Sequence, residues 1–75
     1  MTFMKVFLRN THTGLYYRGS FEWTSSRAEA LDLGHTHEAI RLAAEFHLDA
    51  AEVVLGFDDP LQDVALPFQG PWWRN

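Results

Sequence analysis

Cysteine is absent from this chain, which excludes disulfide staples and thiolate metal sites together. Long apolar runs are absent as well. None approaches the ~20 residues of a membrane-spanning helix, and the stretch before Arg9 is too short for the apolar core of a secretion signal. The expected compartment is the cytoplasm, with no membrane partner. Basic charge is scarce: six Lys and Arg stand against ten Asp and Glu, for a net charge of −4. The cations Lys5, Arg9, Arg18, Arg27, Arg41 and Arg74 are scattered along the sequence. Such a field repels nucleic acid and anionic lipid, which makes nucleic acid an unfavoured partner. The five glycines are dispersed and form no phosphate-binding loop. Ser20, Ser25 and Ser26 lie in no nucleophile elbow. No catalytic residue, cofactor or metal is expected, and the chain is not read as an enzyme.

Aromatic side chains, by contrast, are plentiful. They make up 15% of 75 residues, and hydrophobic residues make up 47%. That composition belongs to a folded domain, and the length allows only one. A domain of this size buries only about 60% of the surface its unfolded chain exposes. Without cysteine its stability must come from a dense aromatic core or from self-association. We place one small α+β domain over residues 1–69 and an aromatic tail over residues 70–75.

Residues 4–9 alternate, with Met4, Val6 and Leu8 on one face and Lys5, Phe7 and Arg9 on the other. The cluster Asn10-Thr11-His12-Thr13-Gly14 suits a hairpin turn closed by a left-handed glycine. Leu15-Tyr16-Tyr17-Arg18 is the return strand, rich in β-formers. Phe21, Trp23 and Thr24 form either a short third strand or a bulged extension of the second. Ser26-Arg27-Ala28-Glu29 has capping-box spacing and predicts one or two helical turns.

The main helix is expected from about His37 to His47, with Thr36 as its N-cap. Ala39, Ile40, Leu42, Ala43 and Phe46 share its apolar arc, and His47 projects onto the same arc. Residues 52–57 read as the next strand, and residues 63–68 as a candidate edge strand. The expected fold is α+β, in ββαβ order, with one main helix on one face of a three- or four-stranded antiparallel sheet. Met4, Val6 and Leu8 should meet that helix.

The polar clusters have plain structural readings. His35 and His37 are two apart, which is poor spacing for a helix-borne zinc site, and His12 and His47 are distant. His47 suits the negative end of the helix dipole. Asp58, Asp59 and Asp63 lack the alternating ligands of a calcium loop and read as a charged turn.

The run Gly14-x-Tyr16-Tyr17, Trp23-Thr24, Ala30-x-x-Leu33 and Ala39-Ile40-x-x-Ala43 resembles small bacterial and phage-associated proteins. The resemblance covers less than half of the chain and implies a ββαβ-type fold with no activity attached. Gly34-His35-Thr36-His37-Glu38-Ala39-Ile40 also resembles the helix start of HicB-type antitoxins.

One helix shields one face of a sheet, yet bulky rings are supplied for both. Phe3 and Phe7 on the second face therefore require cover from the C-terminal tail or from a second protomer. The function expected is protein–protein contact, principally self-association as a homodimer. Its candidate interface residues are Phe3, Phe7, Trp23, Trp72 and Trp73, because Trp and Phe concentrate at interfaces. The alternative is a nucleic-acid-associated or antitoxin-like regulatory module, with Lys5, Arg9 and Arg18 beside Phe7 and Tyr16 or Tyr17.

Overall fold

In the computed structural model the described residues are 4–69. Five strands run in the order β1 (Lys5–Asn10), β2 (Leu15–Gly19), β3 (Glu22–Thr24), β4 (Ala50–Gly56) and β5 (Val64–Gln69). A 3-10 turn, Arg27–Glu29, and the helix α1, Thr36–Glu45, lie between β3 and β4, and a second 3-10 turn, Pro60–Gln62, precedes β5. All strand pairs are antiparallel, in the spatial order β3-β2-β1-β4-β5. The class is α+β, as expected, but the sheet has five strands and not three or four.

Both extra strands form where the sequence signal is weak. β3 folds back on β2 through Ser20 and Phe21, which take φ of 53° and 61°. A two-residue hairpin of that hand favours Asn and Gly at its two central positions, and neither stands there to announce it. β5 carries Pro67 opposite Glu52 of β4. Proline fits there because an edge strand has one side whose amides need no ladder partner.

The first hairpin closes as its residues dictate. The Asn10 carboxamide oxygen accepts the amides of His12 and Thr13 at 2.8 and 3.3 Å, and Gly14 takes φ of 75°. Val6, Leu8, Tyr17, Ala51 and Val53 then form the helix-side core with Ala39 and Ala43, both fully buried. Two alanines bring the helix backbone close to the sheet. Ten helical residues span only about 15 Å, so Met4, expected under the helix, is 52% exposed. The helix also stops before His47, which adopts φ of 53° outside it. His47 N–H donates to the Ala44 carbonyl and Leu48 N–H to that of Ala43, a Schellman closure with histidine in the position glycine usually holds. His47 is therefore exposed and off the apolar arc assigned to it from the sequence.

The opposite face corrects a second expectation. Phe7 is 2% exposed and offers no contact surface. Among the described residues its cover is intramolecular, from Tyr16 and Arg27, and needs no second protomer; the tail expected to share in it lies outside the described residues. Tyr16 packs edge-on at 5.9 Å, and the Arg27 guanidinium lies 5.6 Å from the Phe7 ring centre. Arg27 is held there by two bonds of 2.7 Å to the Asp63 carboxylate and one of 2.7 Å to the Phe57 carbonyl. Phe57 N–H also donates to Asp63. Ser26 makes no side-chain cap for the 3-10 turn; Glu29 instead accepts from the Thr24 hydroxyl.

The chain then returns to the helix side through a fork in the sheet. β1 and β2 pair directly only at Arg9–Tyr16 and Asn10–Leu15. Below that point Leu31 N–H donates to Tyr17 O and Leu33 N–H to Val6 O, while Val6 N–H donates to the Asp32 carboxylate.

Two predictions follow from the Phe7–Arg27 side. A Cβ on Gly56 would stand 2.5 Å from Phe7 Cε2 and 3.2 Å from Arg27 Nη2. Gly56→Ala should destabilise by about 1–3 kcal/mol through overpacking, read by urea unfolding, and Phe7→Leu in the same chain should recover part of the loss. Asp63 is held below the ordinary carboxylate range, first by its bonds to Arg27 and then by the Phe57 amide, against some desolvation. A lowered folded-state pKa means that the stabilisation is present above the unfolded value of about 3.9 and is lost as pH falls through and below it. Asp63→Asn should flatten the acid side of the stability–pH curve below about pH 4; an unchanged acid slope would count against the clamp.

Candidate functional site

The helix covers the centre of the sheet and leaves a cleft at the β3 side. Asn10, Phe21, Trp23, Phe46 and Leu48 line a cavity of about 250 Å³. Trp23 sits on β3 opposite Tyr17. Phe46 closes the C-terminal end of α1, and Leu48 follows the Schellman turn. The rings interlock, with Tyr17–Trp23 and Tyr17–Phe46 both 5.5 Å apart, Phe21–Phe46 at 5.8 Å and Trp23–Phe46 at 6.2 Å. Asn10, oriented by its bonds to the hairpin turn, is the polar member of the wall. Among the described residues none of those lining the cavity is titratable, and the chemistry they offer is apolar contact and ring stacking.

Backbone strain is concentrated around this cleft. Among the described residues, the non-glycine residues at positive φ are Ser20, Phe21 and His47. Phe21 lines the cleft, Ser20 precedes it, and His47 lies between the lining residues Phe46 and Leu48. An ordinary residue in that conformation costs roughly 1–2 kcal/mol. Phe21 carries the further cost of exposure, with 82% of its surface in water.

Of the residues singled out from the sequence, Trp23 lies in the cleft and Phe7 is buried on the other face. Phe3, Trp72 and Trp73 lie outside the described residues. Sequence reasoning missed Phe21 and Phe46 as site residues, because one read as strand and the other as core. The signal that links them is the tight reversal before Trp23, whose two central residues are neither Asn nor Gly.

The polar clusters are engaged elsewhere. His35 and His37 stack at 5.4 Å on the exposed helix start. Among the described residues there is no group of three or more His, Cys, Asp or Glu placed to hold a metal ion. Asp63 is taken by Arg27, and Asp59 accepts the Leu61 amide. Arg9 lies 5.5 Å from the Tyr16 ring centre and bonds Glu52 at 2.9 Å, and Arg41 bridges Glu38 and Glu45. No described helix is long and apolar enough to cross a membrane.

Comparison with protein-family models, curated proteins and solved structures finds no match to this chain.

Relief of turn strain and loss of ring contact should nearly offset each other at Phe21. An Asn at that left-handed position recovers about 1 kcal/mol, and the lost edge contact with Phe46 forfeits about the same. Phe21→Asn should therefore unfold within about 0.5 kcal/mol of the parent in urea, a result that would mark the ring as dispensable for folding.

Proposed function

We propose that this protein is a non-catalytic module that works by protein contact, and that the cleft is its contact surface for a second copy of the chain. The observation that carries this is the exposed Phe21 ring, held on a strained turn at the lip of an aromatic hollow. Folding alone favours a polar residue or glycine there. Burying such a ring recovers about 1.5–3 kcal/mol, enough to outweigh the strain once a partner is present.

The occupant is argued from shape. Each copy offers a protruding ring beside a hollow, and a two-fold axis would place Phe21 of each in the hollow of the other. Pairing through sheet edges has less support. β3 is only three residues long and begins with Glu22, and β5 carries Pro67; both devices blunt edge pairing. The nucleic-acid alternative also has less support, because Arg9, Arg27 and Arg41 each engage a carboxylate and the net charge is −4.

Sedimentation equilibrium of the full chain up to about 1 mM, the weak end of specific association, should show mass rising toward a dimer. Phe21→Asn should weaken that association about tenfold, as loss of a central aromatic contact does. A strict monomer throughout the range, in the parent and in a full chain carrying Trp72→Ala and Trp73→Ala alike, would overturn the assignment.

A further inference from the structure

The register of the outer strands sets how far the chain beyond β5 has to travel to reach the near wall of the cleft, from which an indole would extend toward Trp23 on β3. Gln69 pairs with Ala50, and the next residue of β4, Ala51, pairs with Asn10 of β1. Thr11 N–H donates to Ala50 O at 3.3 Å, which continues the ladder at that end. Gln69 is thus two strand spacings, about 10 Å, from β1 at Asn10, and Asn10 is a wall of the cleft. The residues that follow are Gly70-Pro71-Trp72-Trp73-Arg74-Asn75. An extended chain advances about 3.3 Å per residue, so the third and fourth residues after Gln69 have a reach of about 10 and 13 Å. Those two are the tryptophans. Proline at 71 has no amide with which to extend the ladder, and the cleft is lined by three aromatic rings and a leucine.

We propose that the cleft is the docking site of this chain's own Trp72-Trp73 segment, with one indole seated among Phe21, Trp23, Phe46 and Leu48. This inference rests on the cleft being a contact surface and adds its regulation. A tethered segment is present at millimolar effective concentration. Docked in its own chain, it competes with Phe21 of a second copy for the same hollow and sets how readily two copies associate.

The test uses the full chain carrying Trp72→Ala and Trp73→Ala, together with a dye-labelled synthetic peptide of residues 70–75. The substituted chain should bind the peptide, by fluorescence anisotropy, at least about tenfold more tightly than the parent, in which the tethered segment competes for the cleft. Phe21→Asn added to the substituted chain should cost about tenfold in peptide affinity. Self-association of the substituted chain should exceed that of the parent severalfold. Absence of peptide binding, or binding that ignores Phe21→Asn, overturns tail docking, whether or not the chain self-associates. Peptide binding in a chain that stays monomeric upholds the docking site and overturns the second copy as partner instead. Should the double substitution unfold the chain, the parent supplies an independent measurement. Phe21→Asn alone should raise acrylamide quenching of tryptophan emission by displacing the segment, and unchanged quenching would overturn the proposal.

Discussion

The clamp of Arg27 over Phe7 is the contact on which the rest of the architecture depends. Among the described residues a five-stranded sheet with a single ten-residue helix has an apolar ring on the side away from that helix. The chain supplies the cover with the edge of Tyr16 and one cation. The guanidinium lies 5.6 Å from the ring centre, and its Nε and Nη2 donate to the Asp63 carboxylate and the Phe57 carbonyl. Planar, bidentate geometry is what arginine offers and lysine does not. The same bonds fasten the 3-10 turn after β3 to the loop before β5, elements 36 residues apart in sequence. Gly56 completes the arrangement because any side chain there would occupy the space of the Phe7 ring.

From that anchor the path of the chain is constrained. Residues 30–33 must travel from the Arg27 side to the helix side, and the fork between β1 and β2 is where they do so. Strand amides and carbonyls that would otherwise lack ladder partners are satisfied by the crossing segment, through Leu31, Asp32 and Leu33. Leu33 arrives against the helix-side core. The helix then begins two residues past Gly34, close enough for two alanines to touch the sheet.

How much of this was legible in the sequence follows from the range of each determinant. Alternation in β1, the Asn10–Gly14 turn and the alanine-lined helix are local patterns, and each was read correctly apart from end residues. β3 and β5 were weak because their turn and proline signals resemble breakers until strand neighbours are known. The cover over Phe7 was beyond reach. It depends on Arg27, Asp63 and Phe57 meeting across long separations, and a lone arginine in a capping-box motif carries no mark of that role. The cleft was half visible: Trp23 stood out by type, whereas Phe21 and Phe46 gain their meaning only when the hairpin brings β3 beside the end of the helix.

The distribution of strain separates the two sides of the molecule. On the Arg27 side every unusual feature stabilises the fold: a satisfied ion pair, a glycine where a ring needs space, a carboxylate held ionised. Around the cleft the features run the other way. Ser20, Phe21 and His47 hold left-handed backbone without glycine, and a phenylalanine stands in water. Replacing any of them with Gly or Asn would ease the backbone, so folding energetics alone do not account for these residue types. Strain scattered through a small domain would signify little. Here all three residues adjoin one apolar hollow, and a bound apolar group would recover on contact what the isolated fold gives up there.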